Sequence, residues 1–171
     1  MPSGKTHDRI TLWLLPFLVI SVHLFTKDSD ITLLCACGFF LGGLIFGPDL
    51  DIRSIHYKRW GVLRFFWLPY QKLIPHRSWL SHGLIVGTLV RLCYLFFWFF
   101  MGAALLIAIA QLLFGFAWNW HDFVLRQARS LLSERRWATV TFLLGLELGA
   151  MSHYLSDFLL SSSPSNKKDR N

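Results

Sequence analysis

Charge is what this sequence has least of. Charged side chains make up 16% of the chain, against roughly 25% in soluble domains, and only 10 of its 171 residues are acidic. Mean hydropathy is +0.44, and 54% of the residues are hydrophobic, with 16 Phe and 8 Trp among them. This balance points away from a soluble domain and toward a membrane protein. Cysteine is also sparse. Cys35, Cys37 and Cys93 lie in apolar stretches, their odd number gives no disulfide framework, and C-x-C is not a zinc-ribbon spacing. They read as buried apolar residues. No small-residue cleavage site follows the apolar run that starts at Ile10, so that run is expected to stay as an uncleaved first span. No internal repeat is present. The formal net charge of +7 raises the question of nucleic acid. Basic loops between apolar spans explain it without such a partner, and none is expected.

What is abundant is apolar runs. Residues 10–25 form the first, marginal in length against the roughly 20 residues of a span and carrying Pro16. Residues 31–47 form the second, where Gly38, Gly42, Gly43 and Gly47 permit close helix packing. Residues 84–116 are broken only by Arg91 and Gln111. As a helix they would reach about 50 Å, against a hydrocarbon core of about 30 Å. They are either one long helix that overhangs the bilayer or two short ones turning near Gly102. Residues 138–160 make the last run. Between these, residues 51–81 interleave Arg53, Lys58, Arg59, Arg64, Lys72 and Arg77 with aromatics, as suits an interfacial segment at an anionic leaflet. Residues 118–137 are amphipathic and basic. The expected fold is all-α: a polytopic membrane helical bundle of about four transmembrane helices plus interfacial basic-aromatic segments. Residues 1–160 form its single domain, and 161–171 a disordered polar tail.

Four polar clusters interrupt the apolar background, and each carries groups that bind metals. They are Thr6-His7-Asp8, Pro48-Asp49-Leu50-Asp51, His76-Arg77-Ser78-Trp79-Leu80-Ser81-His82, and Ser152-His153-Tyr154-Leu155-Ser156-Asp157. Burying such groups is costly unless something binds them. His153 and Asp157 are four apart and share a helix face. Asp49 and Asp51 follow a proline in a turn, where aspartate is also favoured on its own account. His76 and His82 are six apart, so His76 belongs to the lead-in of a helix that begins near His82, with Ser78 or Ser81 as its cap. The candidate metal ligands are His7, Asp49, Asp51, His76, His82, His153 and Asp157, with Asp8 weaker. His23, His56 and His121 fall outside the clusters and read as structural. Neutral histidine with carboxylate suits zinc first, or manganese or iron. So many donors exceed what one tetrahedral ion needs and could serve two ions.

Three further groups are candidates for chemistry: Asp8 or Glu147 as a base, and Arg77 as a clamp on developing negative charge. Glu147 lies midway along the last apolar run and could instead pair with Arg91. Gly145 and Gly149 flank it as a helix-packing motif. With four spans, 11 Lys or Arg fall on the side of the termini and 5 on the other. With five spans the charges split 12 to 4. His153 reaches the side of His7, Asp49 and His76 only if residues 84–116 cross once, so a shared site argues for four spans and a cytoplasmic centre.

In this order the clusters resemble those of the YdjM-like family of membrane-bound metal-dependent hydrolases. That family shows T-H, L-P-D-I-D, H-R-G-x-T-H-S and G-Y-L-S-H-x-x-x-D. Small cyanobacterial membrane proteins described as metal-binding also share an opening similar to residues 2–11. This chain departs in having H-x5-H where the family has H-x4-H, and Ile52-Arg53-Ser54 where His-Pro commonly follows the aspartates. The resemblance implies an integral protein of a bacterial inner or thylakoid-type membrane that hydrolyses a phosphoester or lipid-type bond. Its partners are then the lipid bilayer and divalent metal. A non-catalytic metal-binding protein (a sensor, assembly factor or metal-handling component) is the competing class.

Overall fold

The computed structural model describes residues 4–161; the side chains of Lys5 and of residues 157–161 are outside that description. The described chain is all-helical. Helix α1 (Gly4–Thr26) turns at Lys27, where φ is +54°, into α2 (Ser29–Leu44). Asp28 caps α2 by accepting from the Asp30 and Ile31 amides at 2.8 and 3.1 Å. A tight turn at Pro48–Asp51 leads to four short pieces: α3 (Ile55–Arg59), a 3-10 segment Gly61–Phe66, α4 (Trp67–Leu73) and α5 (Trp79–His82). Then come α6 (Val86–Phe114), α7 (Trp120–Arg129), a π-type turn Ser130–Glu134 and α8 (Arg136–Ser161).

Helix α2 packs most extensively on α8, and small residues make this possible. A Cβ added at Gly42 would lie 2.0 Å from the Leu146 carbonyl oxygen, and one at Gly149 2.2 Å from that of Phe39. The two backbones therefore touch, with α2 and α8 running in the same direction. Helix α1 runs against both. Thr32 of α2 contacts His23, and Thr11 bonds Ser152 of α8 at 3.0 Å. Residues 84–116 resolve into one helix of 29 residues; there is no turn at Gly102. Only its first turns are covered, with Gly87, Thr88 and Arg91 buried. The start of α1, the end of α2, the start of α6 and the end of α8 meet at one end of the fold.

Among the described residues, two helices are long and apolar enough to cross a membrane, Thr6–Thr26 and Val86–Phe114. Helix α2 is a shorter apolar helix. The basic-aromatic stretch 51–81 folds into short helical pieces. It divides into a buried and an exposed face. Trp67 and Tyr70 are buried with Phe46, Leu50, Tyr57 and Leu146 in the main core. Trp67 meets Tyr70 edge-on at 5.4 Å and Phe46 at 5.7 Å. Val62, Phe65 and Trp79 stay exposed. The aromatics are sorted by packing at the convergent helix ends, which periodicity over helices this short does not reveal.

Candidate metal centre

Pro48 opens the acidic turn and Leu50 anchors it, fully buried in the aromatic core. With Leu50 turned inward, Asp49 and Asp51 flank it toward the convergent helix ends. Gln71 of α4 clamps the same turn, donating to the Leu50 and Ile52 carbonyls at 3.0 Å each. Ser54 ties the turn to α3: its hydroxyl donates to the Asp49 carbonyl at 2.7 Å and accepts from the Tyr57 amide. This link carries His56 to the cluster. Gly47 leaves room for it, because a Cβ there would come within 2.5 Å of the His56 ring.

Among the described residues, two groups of three donors converge, and Asp49 belongs to both. Asp49, His56 and His153 form one; Asp49, His76 and His82 form the other. Within each group the ligand atoms lie within 4.8 Å of one another. One Asp49 oxygen is 3.3 Å from His153 Nε2, and the other is 3.6 Å from His82 Nε2. The first group is deep, with His56 and His153 both buried. The second opens outward, since the His76 side chain is 32% exposed.

Other predicted residues surround this core in supporting geometry. Asp51, fully buried, lies 3.0 Å from His76 Nδ1 and 3.5 Å from His82 Nδ1. It also accepts from the Arg77 amide at 3.4 Å. A carboxylate behind a histidine fixes the ring's orientation and raises its basicity as a ligand. His7 stacks on His153 with ring centroids 3.9 Å apart and contacts the Ser156 hydroxyl through Nδ1. Asp157 follows on α8, its side chain outside the described residues.

The residues expected to act as base or clamp have specific partners. Asp8 pairs with Arg59, which also donates to the Leu44 carbonyl. The Arg77 side chain is exposed at the rim, at a residue with φ of +60°. Glu147 accepts from the Ile85 amide at 2.9 Å, at the start of α6, rather than pairing with Arg91. Arg91 is fully buried. It donates to the Ser81 carbonyl at 2.7 Å and to the Thr88 hydroxyl at 3.0 Å, so it pins the His82 turn to α6. The expected capping is also corrected. The helix ends at His82 instead of beginning there, and Ser78 occupies its N-cap position without a side-chain capping bond; its hydroxyl donates to that of Ser81 at 3.4 Å. Ser81 instead bonds His82 Nδ1 at 2.8 Å.

His56 is the residue that sequence reasoning set aside as structural. It is 1% exposed, and among the described residues neither ring nitrogen has a hydrogen-bond partner. A buried polar atom left so costs roughly 1–3 kcal/mol. His82 Nε2 is buried too, and the Asp49 oxygen that faces it stands off at 3.6 Å. A cation held by these lone pairs would remove that cost, so the donor set fits a metal. The available signal was the departure after the aspartates. A histidine does stand a few residues on, at position 56.

Electrostatics agree. Burial, then His153 and Arg59, push His56 down to about 4, against the opposing pull of Asp49 and Asp8. Burial alone would raise Asp49, but hydrogen bonds from His153 and His82 hold it well below the usual carboxylate range. At neutral pH the centre thus offers an ionised carboxylate beside an unprotonated imidazole. These are the forms that ligate a metal.

A family model described as uncharacterized metal-binding protein (DUF2227) matches residues 2–167. The chain belongs to that family. An uncharacterized protein of Aquifex aeolicus (strain VF5) is similar to it, 41% identical over 59 residues. That match covers 34% of this chain and 41% of the relative, so the chain spans about two-fifths of that relative's length. No solved structure matches. Metal binding, the family's described property, agrees with the two His/Asp groups that share Asp49.

Proposed function

We propose that this protein is a membrane-embedded metal-dependent hydrolase whose centre would take two ions, with Asp49 contributing to both positions. The observation that carries the reading is Asp49's membership of both donor groups. Asp49, His56 and His153 would hold a deep ion, and Asp49, His76 and His82 an outer one. Zinc is the leading candidate for this nitrogen and oxygen set. Asp51 orients His76 and His82, and His7 backs His153, with Asp157 a further ligand from α8.

A pair of ions, when bound, would supply Lewis acidity and lower the pKa of water. The chain's own groups do the rest. Asp8 has one oxygen on Arg59 and the other buried with no partner among the described residues, and it serves as proton acceptor. Arg77, exposed at the rim beside His76, meets the incoming anion. The exposed edge at His76 admits substrate to the outer position, as a catalytic site requires. In this reading residues 1–160 form one helical domain. Its membrane bundle is built from α1, α2, α6 and α8, and the convergent end faces the cytoplasm. The two long apolar helices and the apolar side chains exposed along α6 support it.

Turnover tests the proposal. Detergent-purified protein loaded with zinc or manganese should hydrolyse a nitrophenyl phosphodiester or a phospholipid. Asp49→Ala should lose at least about a hundredfold, the scale on which a metal-activated nucleophile acts. Stable metal binding without turnover on any such probe would leave a metal-handling protein.

A further inference from the structure

Beside the centre lies an open groove of about 870 Å³ that the chemistry above leaves unused. Arg53, Lys58 and Arg64 line it together with Val62, Phe65 and Leu68, and among the described residues no carboxylate lines it. All three cations are exposed. So are the apolar neighbours: Val62 is 85% exposed, Phe65 50% and Leu68 38%. Helix α3 is the shared wall. His56 turns into the metal centre, while Tyr57 and Lys58 line the groove. Gly61, with φ of +54° and open space where a side chain would stand, widens it.

We infer that this groove binds the head group of an anionic phospholipid, with Arg53, Lys58 and Arg64 on the phosphate and Val62, Phe65 and Leu68 against the first carbons of the tails. Cations interleaved with exposed apolar side chains are complementary to an amphiphile. A free phosphate would need only the cations, and a single-stranded nucleic acid would need aromatic faces on which to stack. Of the aromatics at the groove, Tyr57 is buried in the core and Phe65 faces its neighbour Phe66, with centroids 4.2 Å apart. The inference rests on the proposed membrane setting and names the substrate class for the neighbouring centre: a phosphate-headed lipid drawn from the anionic leaflet.

Calorimetric titration of the full chain in detergent tests it. Short-chain dihexanoyl phosphatidylglycerol should bind at least about tenfold tighter than dihexanoyl phosphatidylcholine or inorganic phosphate. A cation near an anionic lipid surface is worth about fivefold in affinity, so R53Q/K58Q/R64Q should weaken binding about a hundredfold. R53K/R64K, which keeps the charge, should hold it within about threefold of the parent on the same scale. Equal affinity for the zwitterionic lipid, equal affinity for phosphate alone, tighter binding of a single-stranded oligonucleotide, or an unaffected triple variant would each overturn the inference. Metal content of the same preparations separates the two claims. Two ions without lipid selectivity overturns the groove alone. Selectivity in a chain that takes up no metal supports the groove and overturns the centre.

Discussion

Asp49 and His56 show why the site was only partly legible residue by residue. Asp49, Asp51, His76, His82 and His153 stand out because each is a polar group in an apolar neighbourhood, where an unpaired group is expensive. His56 sits in Ser54-Ile55-His56-Tyr57-Lys58, a polar and basic setting in which a histidine is unremarked. It becomes a site residue only through tertiary contacts: the Ser54 bond to the Asp49 carbonyl and the space left by Gly47. Its chemistry gives a pH prediction. With His56 pushed down to about 4 from 6.5, the unfolded chain binds more protons between those values. Stability of chelator-treated protein should therefore fall as pH drops from 6.5 toward 4, by on the order of 3 kcal/mol from this group. Asp49, held low, adds to the loss only further down, as pH falls below the ordinary carboxylate range. Thermal unfolding across this range should show the slope, and His56→Gln should flatten it. An unchanged slope in that variant would remove His56 as the source.

At the scale of elements, the long helices were readable and the short ones were not. The apolar runs correspond to α1, α2, α6 and α8, and the glycine spacings correspond to the α2–α8 contact. Residues 51–81 break into helices of four to seven residues. Pieces so short show no stable period, and which aromatic is buried depends on partners far along the chain. The α2–α8 contact also sets the site, because it fixes His153 relative to the turn that ends α2. Gly149→Leu should force the backbones apart at Phe39, where even a Cβ is too close. Overpacking of this kind costs typically 1–3 kcal/mol or more. The expected result is a lower melting temperature in detergent together with loss of bound metal. Leu148→Ala, one residue away and 39% exposed, should do neither. A Gly149→Leu protein that melts normally and keeps its metal would show that the contact is not what positions the centre.

For the whole molecule, four helix ends and a set of short helical pieces come together at one pole. Polar groups scattered from His7 to His153 become neighbours there. The sequence order of the clusters made that convergence readable. The sharing of Asp49 was not readable, because it depends on the two carboxylate oxygens facing different histidines. That sharing is the central claim, and metal stoichiometry by elemental mass spectrometry on detergent-purified full chain tests it most directly. The account predicts about two ions per chain for the parent and one each for His56→Ala and His76→Ala, on the pattern of two ions held by separate histidines and one bridging carboxylate. Asp49→Ala should hold none. A single ion in the parent, or an Asp49→Ala chain that still carries two, would contradict it.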